Sequence, residues 1–166
     1  MAAPKYIALV SGFLKQITAA VTSTADSVVA TDGTGKIDSS FLPAGLGVDT
    51  ITATASEAIS AGAFVDLYLA GGVLKARNAD ASTTGKFADG FALSAISSGA
   101  SGSITLAGQN NSLSALTIGS DYWLDPAVPG GATATPPSTS GQTSQYLGVA
   151  LSAAILDFHK VPPVLL

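Results

Sequence analysis

Cysteine is absent from this chain, and histidine, glutamate and tryptophan occur once each, as His159, Glu57 and Trp123. Without a thiol there is no disulfide staple, no thiolate metal site and no cysteine nucleophile. One imidazole and one glutamate leave little for acid–base chemistry. Charge is equally scarce: 7 basic and 11 acidic side chains make up 11% of the 166 residues, where an average soluble domain carries about 25%. The net charge is −4, and the lysines and the arginine are scattered singly. Such a chain has no counterion-release drive toward nucleic acid or anionic lipid, so the expectation is no nucleic acid and no membrane among its partners. No apolar run reaches the roughly 18 to 20 residues of a membrane span. The run after Lys5 is broken by Gly12, Lys15 and Gln16, which does not suit an export signal.

Small residues fill the space. Alanine, serine, threonine and glycine make up 83 residues, half of the chain, while the apolar fraction is an ordinary 47%. A composition so poor in charge suits a protein that buries surface against partners.

Along the chain, Tyr6, Val10, Phe13, Ile17 and Ala20 recur at spacings of 4, 3, 4 and 3, which predicts a helix over 5–21. Residues 22–48 are polar and turn-rich, with Asp32-Gly33-Thr34-Gly35 as a turn and Phe41-Leu42-Pro43 as a small apolar anchor. Residues 1–48 therefore read as an N-terminal arm of short helix and extended linker. From 49 onward, short runs of Val, Ile, Leu, Phe and Thr alternate with Gly, Ser, Asn and Pro every 8 to 12 residues or so. This rhythm predicts a mainly β fold, a compact antiparallel β-barrel or β-sandwich over 49–166.

Strands are expected near 50–54, 63–69, 72–77, 87–96, 102–107, 121–124, 131–135, 146–151 and 153–159, with Gly71-Gly72 as a hairpin turn. In Phe64 to Leu69, alternation separates Phe64, Asp66 and Tyr68 from the purely apolar Val65, Leu67 and Leu69, which should face the core. Gly90-Phe91-Ala92-Leu93-Ser94-Ala95 reappears as Gly148-Val149-Ala150-Leu151-Ser152-Ala153, pointing to two equivalent strands. The prolines after Trp123 point to an edge hairpin.

The sequence offers no catalytic constellation. Asp157 and His159 share a strand face, but no G-x-S-x-G supplies a nucleophile. Gly33-Thr34-Gly35-Lys36 lacks the spacing of a phosphate loop, and the acids near it lack that of a calcium loop. The expectation is no enzyme, no cofactor and no metal. Trp123 beside Tyr122 is a candidate sugar platform, weighed against core or interface filling.

The chain resembles the small β-rich virion proteins of tailed bacteriophages. The likeness lies in Ala61-Gly62 with Val65, Arg77 with Ala79 and Ala81, Asp89-Gly90-Phe91, Leu116 with Gly119, Tyr122 and Leu124, and Gln145 with Gly148, Ala150 and Ser152. Gly35 to Pro43 is similar to a connector that precedes β-domains of phage fibres. The resemblance implies a non-enzymatic virion protein on the capsid surface, made in the host cytoplasm. Its leading role would be decoration, or cementing, of the major capsid protein by a homotrimer. Tyr6, Leu9, Val10, Phe13, Ile17, Phe41, Leu42 and Pro43 are the expected partner contacts. The alternative is a head- or tail-fibre module that meets a host glycan through Tyr122 and Trp123.

Overall fold

A computed structural model of the chain describes the strands at 5–10, 13–20 and 27–29, single positions at 31, 35, 37 and 41, and all of 49–166. The chain divides into two compact units, Met1–Gly47 and Val48–Leu166.

The first unit corrects the helix expected over 5–21. Strand β1 (Lys5–Val10) pairs antiparallel with β2 (Phe13–Ala20), and β3 (Ser27–Val29) joins β2 in parallel. The physical reason lies in the residues themselves. Tyr6, Ile7, Val10, Phe13, Ile17 and Thr18 are aromatic or β-branched and favour strands, and Ser11-Gly12 interrupts the run between the paired Val10 and Phe13.

The second unit is all β, as the turn rhythm implies. Five strands close a barrel in the order β4-β6-β5-β7-β8: β4 (Thr50–Ala55), β5 (Phe64–Ala70), β6 (Val73–Asn78), β7 (Gly90–Phe91) and β8 (Ser101–Thr105). The β5–β6 hairpin turns through Gly71 and Gly72, with φ of 61° and 76°, a conformation that glycine alone adopts without cost. A second sheet runs β11-β10-β13-β14-β9, built from β9 (Gly108–Asn110), β10 (Asp121–Leu124), β11 (Ala132–Thr133), β13 (Tyr146–Ala150) and β14 (Leu156–Phe158). The short strands β12 (Thr143–Ser144) and β15 (Val164–Leu165) pair with each other.

The two sheets are two copies of one five-strand module. Phe64 pairs with Phe91 and Val65 with Gly90 across β5 and β7, as Asp121 pairs with Val149 and Tyr122 with Gly148 across β10 and β13. Gly62 N–H donates to Ala92 O at 2.7 Å and Ala92 N–H to Ala63 O at 3.0 Å; in the second copy Gly119 N–H donates to Ala150 O at 2.8 Å and Ala150 N–H to Ser120 O at 3.0 Å. Gly62 and Gly119 both sit at positive φ, 82° and 77°. The sequence echo thus marks equivalent strands, β7 and β13. The first copy closes because β4 pairs in parallel with β6. In the second copy the corresponding strands β9 and β11 lie at opposite ends of an open sheet, and β11 is the edge that the prolines imply.

Two cores follow. Ala53, Ala55, Ile59, Val65, Ala76, Ile96 and Ile104 fill the barrel. Phe64 and Phe91 from the first copy meet Tyr122, Leu124, Leu147, Leu156 and Phe158 from the second in a shared core. Three rings interlock there, with centroids 6.3 Å apart for Phe64–Phe91, 5.5 Å for Phe64–Phe158 and 5.7 Å for Phe91–Phe158. Strand β5 is the wall between these cores, so Phe64, Val65 and Asp66 are all buried, while Leu69 at the hairpin end is 72% exposed. The expected one-sided burial of Val65, Leu67 and Leu69 is corrected accordingly.

Candidate functional site

Among the expected partner contacts, the register pairs Tyr6 with Ile17, Val10 with Phe13, and Leu9 with Leu14. The hairpin register therefore sets Tyr6, Val10, Phe13 and Ile17 into two cross-strand pairs and Leu9 into a third, with Leu14. Phe41 is half-buried. Leu42 and Pro43 lie outside the described residues.

The two aromatics of the sugar-platform reading are separated by strand alternation. Tyr122 is 6% exposed and packs in the shared core. Its hydroxyl accepts a hydrogen bond from Thr117 N–H at 2.9 Å. Trp123, half-buried, meets instead the ring of Tyr146 on β13, edge to face at 5.8 Å. Tyr146 donates from its hydroxyl to Asp121 Oδ1 at 2.9 Å. Burial first, then the carboxylates of Asp121 and Asp157, raise the Tyr146 phenol above its usual value. Tyr146 is the member of this cluster that the sequence reading missed. Its cross-strand position opposite Trp123 depends on a bulge in the pairing after Tyr122, which no local pattern announces.

The residues that carry the phage resemblance are occupied by the fold. Arg77 Nε donates to the buried Asp66 at 2.6 Å, and Arg77 stacks on the Tyr68 ring at 4.4 Å. Burial pushes the Asp66 carboxyl up, outweighing the opposing pull of Arg77, while Asp89 adds to the rise. Ala79 and Ala81 are fully buried. Asp89 accepts from Leu67 N–H at 2.9 Å and pairs with Lys160 at 2.8 Å. Gln145, with no exposed surface, accepts from Ala88 N–H at 2.7 Å and donates to Ala88 O and Val161 O at 2.9 and 3.1 Å. It stands in for a strand neighbour that segment 87–89 lacks there.

The glycines mark close approaches. A Cβ at Gly90 would stand 2.5 Å from Thr105 O. One at the equivalent Gly148 would collide with Asp157 O.

His159 and Asp157 lie 3.9 Å apart, with the imidazole largely exposed. Among the described residues no group of three or more His, Asp or Glu is placed to hold a metal ion, and no helix is long and apolar enough to cross a membrane. Two shallow clefts open on the second unit. One of about 420 Å³ runs beside β8 and residues 93–97. The other, about 370 Å³, lies between residues 60–63, 112–116 and 128–132.

No protein-family model matches the chain, and no curated protein matches it. Among solved structures it is similar to the head fiber gp8.5 N base in bacteriophage phi29, at 16% identity and a TM-score of 0.43, over 69% of this chain and 98% of that one.

Proposed function

We propose that this chain is a non-enzymatic structural protein of a bacteriophage virion. In this reading it binds the assembled capsid as a homotrimer and cements it by bridging neighbouring capsid subunits. The observation that carries the reading is the placement of the resembling motifs. Gly62, Arg77 with Ala79 and Ala81, Asp89-Gly90-Phe91, Gly119 with Tyr122 and Leu124, and Gln145 with Gly148 all have a structural task in the second unit. The side chains of the resembling pattern are thus occupied with folding rather than with a reaction.

In this reading Tyr6, Leu9, Val10, Phe13 and Ile17 on the N-terminal hairpin, with Phe41, Leu42 and Pro43, contact the capsid. Three such arms joined in one trimer add their weak contacts by multivalency. A second reading, a fibre module meeting a host glycan, is favoured by the Trp123–Tyr146 pair beside Asp121, which offers an aromatic surface and acceptor oxygens.

Two substitutions separate the readings. Under cementing, Phe13→Asp abolishes occupancy on capsids with the second unit still folded, because an unpaired carboxylate is costly to bury. Trp123→Ala then acts through stability alone. Phe13→Asp particles at full occupancy, with Trp123→Ala particles intact but failing to adsorb to cells, would replace cementing by the fibre reading.

A further inference from the structure

From Gly90 to Ser120 no residue carries a charge, and none does from Thr50 to Ser56. The fold brings these two stretches together. Strand β4 pairs with β8 along its length, so that Thr50 lies opposite Thr105, Thr52 opposite Ser103 and Thr54 opposite Ser101. Cross-strand partners share a face. The result is a double row of hydroxyls, with Thr50, Thr52, Ser101 and Ser103 exposed and Thr54 Oγ1 3.4 Å from Ser101 Oγ.

Beside this row runs the cleft of about 420 Å³, lined by further hydroxyls at Ser94 and Ser97 and by no charged group. One wall of the cleft is a bare strand edge. Strand β8 meets β7 only at Thr105, opposite Phe91, so Ser101 to Ile104 have no ladder on that side. In the second copy of the module the equivalent strands, β13 and β14, stay paired through three residues.

We infer that this face is where copies of the chain meet, which deepens the proposed homotrimer by naming its surface. The occupant follows from charge and hydrogen-bonding chemistry. From Val48 onward, acidic side chains outnumber basic ones eight to four, so two copies repel wherever their charged surfaces face each other. Asp49 precedes the hydroxyl rows and Lys75 lies across from Thr54, so charge stops at their borders. A hydroxyl both donates and accepts, so rows of Ser and Thr from three copies can hydrogen-bond to one another where they converge on a threefold axis. The free edge of β8 adds backbone groups that a partner strand can pair with. Leu93, 38% exposed at the cleft, supplies apolar contact.

The test follows the mass of the full chain in solution by light scattering and sedimentation. Wild type is expected to be oligomeric at micromolar concentration, and to stay so or tighten in about 0.5 M salt, which screens the residual repulsion. Ser103→Lys and Thr52→Lys are expected to weaken association about tenfold or more, whereas Leu69→Lys, at the exposed hairpin end, leaves it unchanged. As a measurement independent of variants, hydrogen exchange at Ser101 and Ser103 should slow as wild-type concentration rises.

A wild-type monomer, an oligomer indifferent to both lysines, or exchange independent of concentration overturns the inference. Protection of these amides only when capsids are added also overturns it, and gives the face to the capsid while leaving the cementing role standing. Self-association through this face without any capsid binding sinks the proposed function instead.

Discussion

Gly90 and Gly148 are the sharpest handle on the duplicated module, because the fold gives them the same task by different degrees. At Gly90 a methyl group would sit 2.5 Å from Thr105 O and 2.9 Å from Ile104 Cγ2, so the backbone of β7 or β8 must retreat. Overpacking of this kind costs about 1–3 kcal/mol. At Gly148 the same addition collides with Asp157 O, and the residue also has a φ of +149°, a conformation worth roughly 1–3 kcal/mol more for an L side chain. Gly90→Ala is therefore expected to lose about 2 kcal/mol and Gly148→Ala about 4 kcal/mol. Gly85 supplies the control, since its φ is +84° but nothing lies within 4 Å of its Cβ position, leaving only about 1–2 kcal/mol of backbone strain. Urea titration read by tryptophan fluorescence and circular dichroism measures all three, with unchanged slopes showing that the denatured states are comparable. If Gly148→Ala costs no more than Gly85→Ala, the close strand approach does not constrain the second module and the equivalence argued from it fails.

Four further outcomes are expected. Gln145→Leu strands the buried N–H and carbonyl of Ala88 and should cost about 2–4 kcal/mol in the same titration. Phe158→Ala opens the three-ring cluster that joins the modules and should cost about 3–5 kcal/mol, with both sheets melting together. At Asp80, burial pushes the carboxyl up, but hydrogen bonds from Ser82 and Thr83 and the charge of Lys86 outweigh it and hold the group below its usual value. Its stabilisation is thus present above the ordinary carboxylate range and lost as pH falls through the lowered value, so Asp80→Asn should be most harmful at neutral pH and least so in acid. Asp66 has the opposite sign: its raised carboxyl contributes stability in acid that is lost as pH rises through the raised value, so the advantage of wild type over Asp66→Asn should shrink from acid toward neutral pH.

Much of the second unit was legible because its signals are local. Strand β10 lies where Asp121 to Leu124 predict it, and Gly71-Gly72 turns the expected hairpin, since turn glycines and alternation act over a few residues. The arm was misread for a definite reason. Tyr6 and Val10, and likewise Phe13 and Ile17, are four residues apart, a spacing that suits one face of a helix and, being even, one face of a strand as well. Gly12 between the two halves is the feature that separates the cases. The strand expected over 87–96 shrinks to Gly90–Phe91, because the apolar run continues after the chain has left the sheet to reach the Ile59–Ile96 bridge. Burial on both sides of β5 was hidden, since alternation presumes one core and this strand separates two. Of the candidate site, Trp123 was legible, but the ring it packs against is Tyr146 across the sheet and not its chain neighbour Tyr122. The Gly90 and Gly148 echo was legible too, without its partner, Gly62 and Gly119, whose flanking residues differ too much to show as a repeat.

Whether this chain cements a capsid as proposed is decided by mixing the purified protein with assembled, undecorated capsids and imaging the particles. Cementing requires added density at one class of site repeated over the lattice where capsid subunits meet, saturating with protein concentration. The same particles should gain resistance to heat and osmotic shock. Particles that carry no added density at saturating protein, or that carry it with no gain in resistance, would rule cementing out.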